Sequence, residues 1–127
     1  MQYIIMFLIV VGLALADFLT GYIKARCQDN VMSKAMRIGG LHKFAEIVIM
    51  ATAIGLDIGL QYLGRYYSNQ QLADITGAVT AIGVFGYITI MEIISILENY
   101  ADINPKAAGW IGRLLKNLKG GEDNGKD

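Results

Sequence analysis

The stretch LADITGAVTAIGVFGYITIMEIISIL, residues 72–97, decides the fold. Its 26 residues contain two charged groups, Asp74 and Glu92. A helix rises about 1.5 Å per residue, so about 20 apolar residues cross a hydrocarbon core about 30 Å thick. Lipid offers no partner to backbone N–H and C=O groups, and a lone apolar run satisfies them internally only as a helix. Two further runs, of 21 residues each, have the same character: YIIMFLIVVGLALADFLTGYI at 3–23 and FAEIVIMATAIGLDIGLQYLG at 44–64. The chain therefore reads as an all-α integral membrane protein with three transmembrane helices. They form one membrane domain over residues 1–119, with a polar, Gly-rich and disordered tail at 120–127.

Composition agrees with this reading. Of 127 residues, 54% are hydrophobic and 17% charged, against about 25% charged in a soluble domain. Eleven basic and 11 acidic residues cancel, so nothing draws the whole chain to nucleic acid. A single cysteine, Cys27, excludes an internal disulfide, and with one histidine, His42, it makes a zinc site implausible. There is no Gly-rich phosphate loop, no His-based triad and no metal-ligand cluster. No catalytic, cofactor-binding or metal-binding residue is expected, and the chain reads as a non-enzyme. Ala14-Leu15-Ala16 has the form of a signal-peptidase site. Nothing basic precedes the apolar stretch, however, and apolar residues resume at Phe18 and Leu19, so the first run reads as a retained span.

Charge sets the orientation. Lys24, Arg26, Lys34, Arg37 and Lys43 fall in the first connector, and Lys106, Arg113, Lys116, Lys119 and Lys126 follow the third run. The second connector, RYYSNQQ, carries only Arg65. Three spans put the two basic segments on one side, which the positive-inside rule makes the cytoplasm, with the N-terminus out and the C-terminus in. Tyr3, Tyr62, Tyr66 and Tyr67 then lie near the outer interface, and Tyr22, Phe44, Tyr100 and Trp110 near the inner one. The long first connector is expected to be partly helical and interfacial, with a break at Gly39-Gly40.

NPKAAGWIGRLLKNLK, residues 104–119, reads as an amphipathic helix with Asn104 as its cap and Pro105 at its first position. Ala107, Trp110, Ile111, Leu114, Leu115 and Leu118 share one face. Lys106, Arg113, Lys116 and Lys119 occupy the other. Such a helix either lies on an anionic membrane surface, through Trp110, Arg113, Lys116 and Lys119, or packs on a neighbouring subunit.

Acids recur inside the runs: Asp17 in the first, Glu46 and Asp57 in the second, Asp74 and Glu92 in the third. An ionised side chain at mid-bilayer costs roughly 2.5–3.5 kcal/mol on insertion scales, so these residues face protein or water. Asp74 and Glu92, 18 apart, share a stripe with Ala78, Ala81, Phe85, Ile88 and Ser95. Glu46 and Asp57 share one with Ala53. Two readings stand: pore-lining stripes that meet water at some stage, or a static bundle whose acids accept hydrogen bonds from Thr, Tyr or Lys. Small residues form columns at Gly12 and Ala16, at Ala51, Gly55 and Gly59, and at Gly77 and Ala81. Such columns let helices approach closely in lipid. Three helices cannot bury both columns and stripes in one copy, so a homo-oligomer is expected.

Three segments carry a resemblance: DFLTGYIKA at 17–25, SKAMRIGGLHKFAEIVI at 33–49 and EIISILENYADINPK at 92–106. Together they resemble the bacteriophage holin family, which includes toxin-secretion holins. That family typically shows an Asp near the end of its first span and a Gly-Leu-x-Lys-Lys-like start to its second. A Ser-Ile-Leu-Glu-Asn element ends its third span and a Pro follows. Here these features fall on Asp17, on Gly40-Leu41-His42-Lys43, on Ser95-Ile96-Leu97-Glu98-Asn99 and on Pro105. His42 stands where a Lys is common, and Ile103-Asn104-Pro105 where a Gly-Val-Pro-Ile-Pro-like run is common. The resemblance implies a protein of the host cytoplasmic (inner) membrane that self-associates among membrane lipids. Its large lesions would release an endolysin or a toxin and so time host cell lysis. Two other functions stay open on the residues alone. One is a small ion channel or proton-coupled transporter built on Glu46, Asp57 and Glu92. The other is a non-conducting antiholin or structural membrane subunit.

Overall fold

Each apolar run folds as a helix, and each helix continues past the ends of its run. The computed structural model describes residues 1–120. The side chains of Gln70, Leu72, Thr76, Gly77 and Ala78 and the tail at 121–127 lie outside the described residues. The expected Gly77 contact and nearly all of the tail fall there. Among the described residues there are four helices and no strand: α1 (Gln2–Cys27), α2 (Ser33–Tyr66), α3 (Gln70–Ile103) and α4 (Ala108–Leu118). The first three are long and apolar enough to cross a membrane. At 34 residues each, α2 and α3 are about 51 Å long, well beyond the hydrocarbon core.

The extra length of α2 lies in the first connector, which is helical from Ser33 onward. Gly39 and Gly40 do not break it, contrary to the sequence expectation. A glycine costs a helix about 1 kcal/mol relative to alanine, whereas backbone groups left unpaired near a bilayer cost several. Gly40 also lies beside α1, where an added Cβ would sit 3.8 Å from the Phe18 ring.

Helices α1 and α2 end in the same device. Asp29 and Ser68 adopt left-handed backbone angles (φ 49° and 56°). The N–H groups of Asn30 and Asn69 reach back to the carbonyls of Ala25 and Gly64, both at 2.9 Å. Those of Asp29 and Ser68 reach Arg26 and Arg65. This is the Schellman closure, here built without glycine.

The third helix is central and contacts each of the others. Met6, Val10, Met50, Ala81 and Ile88 form the apolar core, with Phe7, Ile47, Ile54, Val84 and Phe85 around it. Outside it, large apolar side chains such as Ile4, Leu8, Leu19, Ile49, Leu56, Val79 and Ile90 are exposed all round the bundle. A soluble monomer rarely exposes so continuous an apolar surface, and a hydrocarbon environment accounts for it.

Two expectations change at the C-terminal end. Asn104 does not cap α4; it closes α3, its N–H bonded to the Tyr100 carbonyl at 2.8 Å and its Nδ2 donating to the Tyr100 hydroxyl at 3.3 Å. Pro105, Lys106 and Ala107 form a turn, and α4 starts at Ala108. The Asn104 carbonyl accepts from the Ala107 N–H at 3.0 Å in that turn, and Ala107 stands at the N-cap of α4. The short helix folds back on α3, burying Ala107 and Ile111, and Lys119 Nζ meets Glu98 Oε1 at 2.6 Å.

The small residues divide. Ala81 is fully buried in the core of the chain itself, and Ala16 is half-buried. Gly12, Ala51, Gly55 and Gly59 face outward. A Cβ added at Gly12, Gly55 or Gly59 would meet nothing within 4 Å.

Candidate functional site: a charged interior

The inward ridge of α2 starts at Lys43. Glu46, Met50, Ala53, Asp57, Gln61 and Gly64 follow at three- and four-residue steps and lie along one face. α1 presents Met6, Val10, Ala14 and Asp17. α3 presents Ala81, Ile88 and Glu92, with Phe85, Ser95 and Asn99 partly buried beside them. The acids at 17, 46, 57 and 92 therefore all turn toward the interior.

Lys43 gathers three of them. Its Nζ lies 2.7 Å from Asp17 Oδ2 on α1, 2.6 Å from Glu92 Oε1 on α3 and 3.4 Å from Glu46 Oε2 on its own helix. One ammonium thus ties all three spans together. Glu92 is 0% exposed and its second oxygen has no hydrogen-bond partner. Asn99 completes the group from α3, its Nδ2 donating to Asp17 Oδ1 at 3.0 Å and to Thr20 Oγ1 at 3.2 Å. Gly21 lies beside the group, and a Cβ there would sit in ordinary contact, 3.6 Å from Asn99 Nδ2. A cavity of about 370 Å³ opens beside the group, lined by Asp17, Lys43, Lys24, Ser95 and Asn99 among others. Lys24 borders it, paired with Asp102 at 2.6 Å.

A second polar group sits at the other end of the bundle. Asp57, 0% exposed, accepts a hydrogen bond from the Tyr3 hydroxyl, to which Gln61 Nε2 donates at 2.9 Å. Asp57 Oδ1 has no partner. Lys43 and Asp57 are 14 residues apart, about 21 Å along the helix. Val10, Met50, Ala81 and Ile88 fill the interior between them. The bundle is thus polar at both ends and apolar in the middle.

The fifth acid, Asp74, is half-buried toward the Tyr3 end of α3. Among the described residues no group of three His, Cys, Asp or Glu side chains is arranged to hold a metal ion. Sequence reasoning missed Lys43, Asn99, Tyr3 and Gln61. Lys43 counted as a connector charge and Tyr3 as an interfacial ring. The available signal was spacing: Lys43 precedes Glu46 by three residues, a helical neighbour distance, and stands on the same ridge as Met50 and Asp57.

Three apolar helices around a charged interior define a multi-pass membrane protein whose buried polar groups join its spans. A family model described as the bacteriophage holin family matches residues 1–120, and the chain belongs to that family. No curated protein and no solved structure matches it. Membership carries a phage holin role in general, with membrane oligomers and lysis-related cargo, and the family is not enzymatic. The residues on which the sequence resemblance rests come together in the structure. Asp17, Lys43 and Asn99 meet at one site, Gly40 lies against the Phe18 ring of α1, and Glu98 of the same third-span element holds α4.

Proposed function

We propose that the protein is a pore-forming holin of the host cytoplasmic membrane. It accumulates with the N-terminus outside and the C-terminus inside. It then assembles with further copies into lesions wide enough to pass an endolysin or a toxin, and so sets the time of host lysis. The observation that carries this reading is the Lys43 group. Three carboxyl groups and one ammonium meet there, on inward faces of a bundle whose outside is apolar. A small bundle gains little stability from such a set, because desolvating buried ion pairs offsets most of their attraction. The set becomes useful when the helices re-associate between copies and the inward faces, at Asp17, Glu46, Asp57, Asp74 and Glu92, line water. The outward surfaces at Gly12, Ala51, Gly55 and Gly59 leave room for close helix contacts between copies.

The test uses purified protein in liposomes loaded with solutes of graded size, from ions to a folded endolysin. Release of the folded protein after a delay supports the reading. Flux limited to ions points instead to a small channel or proton-coupled transporter. Full retention of every solute overturns pore formation and leaves a non-conducting antiholin or structural subunit.

A further inference from the structure

The apolar face of α4 is wider than α3 can cover. Ala107 and Ile111 are buried against α3, and Leu115 is half-buried beside them. Next to that contact runs a second apolar line, Trp110, Leu114 and Leu118, exposed at 51%, 38% and 43%. At about 100° per residue, Arg113 borders this line on the side away from Ile111, and the exposed Lys106 stands in the turn that leads into the helix. Lys119 points the other way, to Glu98. In cross-section the short helix therefore shows a protein-facing edge, then an uncovered apolar edge, then a cationic edge.

Its location gives this order a meaning. The Lys24–Asp102 pair fixes the ends of α1 and α3 side by side, immediately before the turn into α4. The exposed Arg26, Lys34 and Arg37 belong to the same end of the bundle. We propose that α4 is a lipid-binding element. Trp110 and Leu114 enter the headgroup boundary of the leaflet at that end, and Lys106 and Arg113 bind the phosphates of anionic phospholipids. Charge complementarity selects the lipid. A second copy pairing symmetrically through this line would oppose its own Lys106 and Arg113 to the same residues, and like charges brought together in this way repel. An anionic headgroup layer meets both edges at once, and Trp favours that depth. The assignment does not depend on the lesions of the preceding reading, since a closed copy has the same surface.

The chain provides its own probe, because Trp110 is its one tryptophan. The intact protein is placed in phosphatidylcholine bilayers with and without phosphatidylglycerol. Trp110 fluorescence is then quenched either by lipid-borne bromine or by aqueous acrylamide. The expected result is stronger bromine quenching and weaker acrylamide quenching with phosphatidylglycerol, an effect that high salt reverses. Each of Lys106→Gln and Arg113→Gln should reduce the preference for the anionic lipid about fivefold. Both side chains are exposed, so the helical content stays as in the parent. Quenching indifferent to phosphatidylglycerol overturns the proposal. So does quenching that follows the protein-to-lipid ratio instead, because a second copy would then cover the line.

Discussion

Replacing Lys43 by Met removes the ammonium and leaves a side chain of similar length in its place. Asp17 and Glu92 lose their 2.7 and 2.6 Å contacts and stay in the bundle with no counter-charge. Removing one partner of a buried ion pair costs about 3–5 kcal/mol. Lys43 is 20% exposed through the adjoining cavity, so the lower end, about 3 kcal/mol, is the better expectation. At about 1.4 kcal/mol per tenfold change, that shifts the closed arrangement toward unfolded or opened ones by about 150-fold. The assay has two parts: thermal unfolding of the purified protein in lipid, and the time from induction to loss of membrane potential at matched membrane abundance. Lys43→Met should unfold at lower temperature and discharge the membrane earlier than the parent. Adding Asp17→Asn and Glu92→Gln removes the orphaned charges and should recover most of both losses, because the coupling lies within one contact group. A Lys43→Met protein matching the parent in both readouts would refute the clamp. A triple variant no better than the single would refute the charge argument behind it.

Three other outcomes follow from the same geometry. Asp57→Ala and Glu92→Ala each delete a fully buried carboxyl group with an unpartnered oxygen. Each should change lysis timing or the largest solute released, and parental values in both variants would remove the role given to the acids. Gly55→Leu and Gly59→Leu meet open space within one copy, so they should leave its thermal stability nearly unchanged while shortening crosslinked ladders; unchanged ladders would place the contact on another face. Ser68→Gly relieves a left-handed backbone angle at the end of α2. That conformation costs a non-glycine residue about 1–2 kcal/mol, so the variant should melt a few degrees higher, whereas a lower melting temperature would mean that the serine side chain is needed there.

The spans were legible because lipid imposes a length and an apolar composition, and the runs at 3–23, 44–64 and 72–97 meet both within the longer helices. The inward direction of Asp57 and Glu92 was legible for a related reason: their stripes include Ala53, Ala81 and Ile88, which are also buried. The kind of partner, a Lys or a Tyr, was legible for these acids; which residue supplies it was not. Lys43 sits one residue before the second run, where the positive-inside argument uses every basic residue as a topology marker and none as a ligand. Only the approach of α1 and α3 shows that its chain points inward. The ends of the helices were obscured by short-range ambiguity. Asn104-Pro105 suits the start of one helix as well as the close of another, and the Tyr100 hydroxyl decides it. Gly39-Gly40 looked like a break because propensity was weighed without the surrounding lipid.

The bond between Asn99 and Asp17 spans 82 residues of chain. Ribosomes add about 5–20 residues per second, so the first helix is made roughly 4–16 s before the amide that will hold its carboxylate exists. Lys43 emerges sooner and can attend to Asp17 in the interval. The order of synthesis therefore lets the α1–α2 contact form before the α1–α3 one.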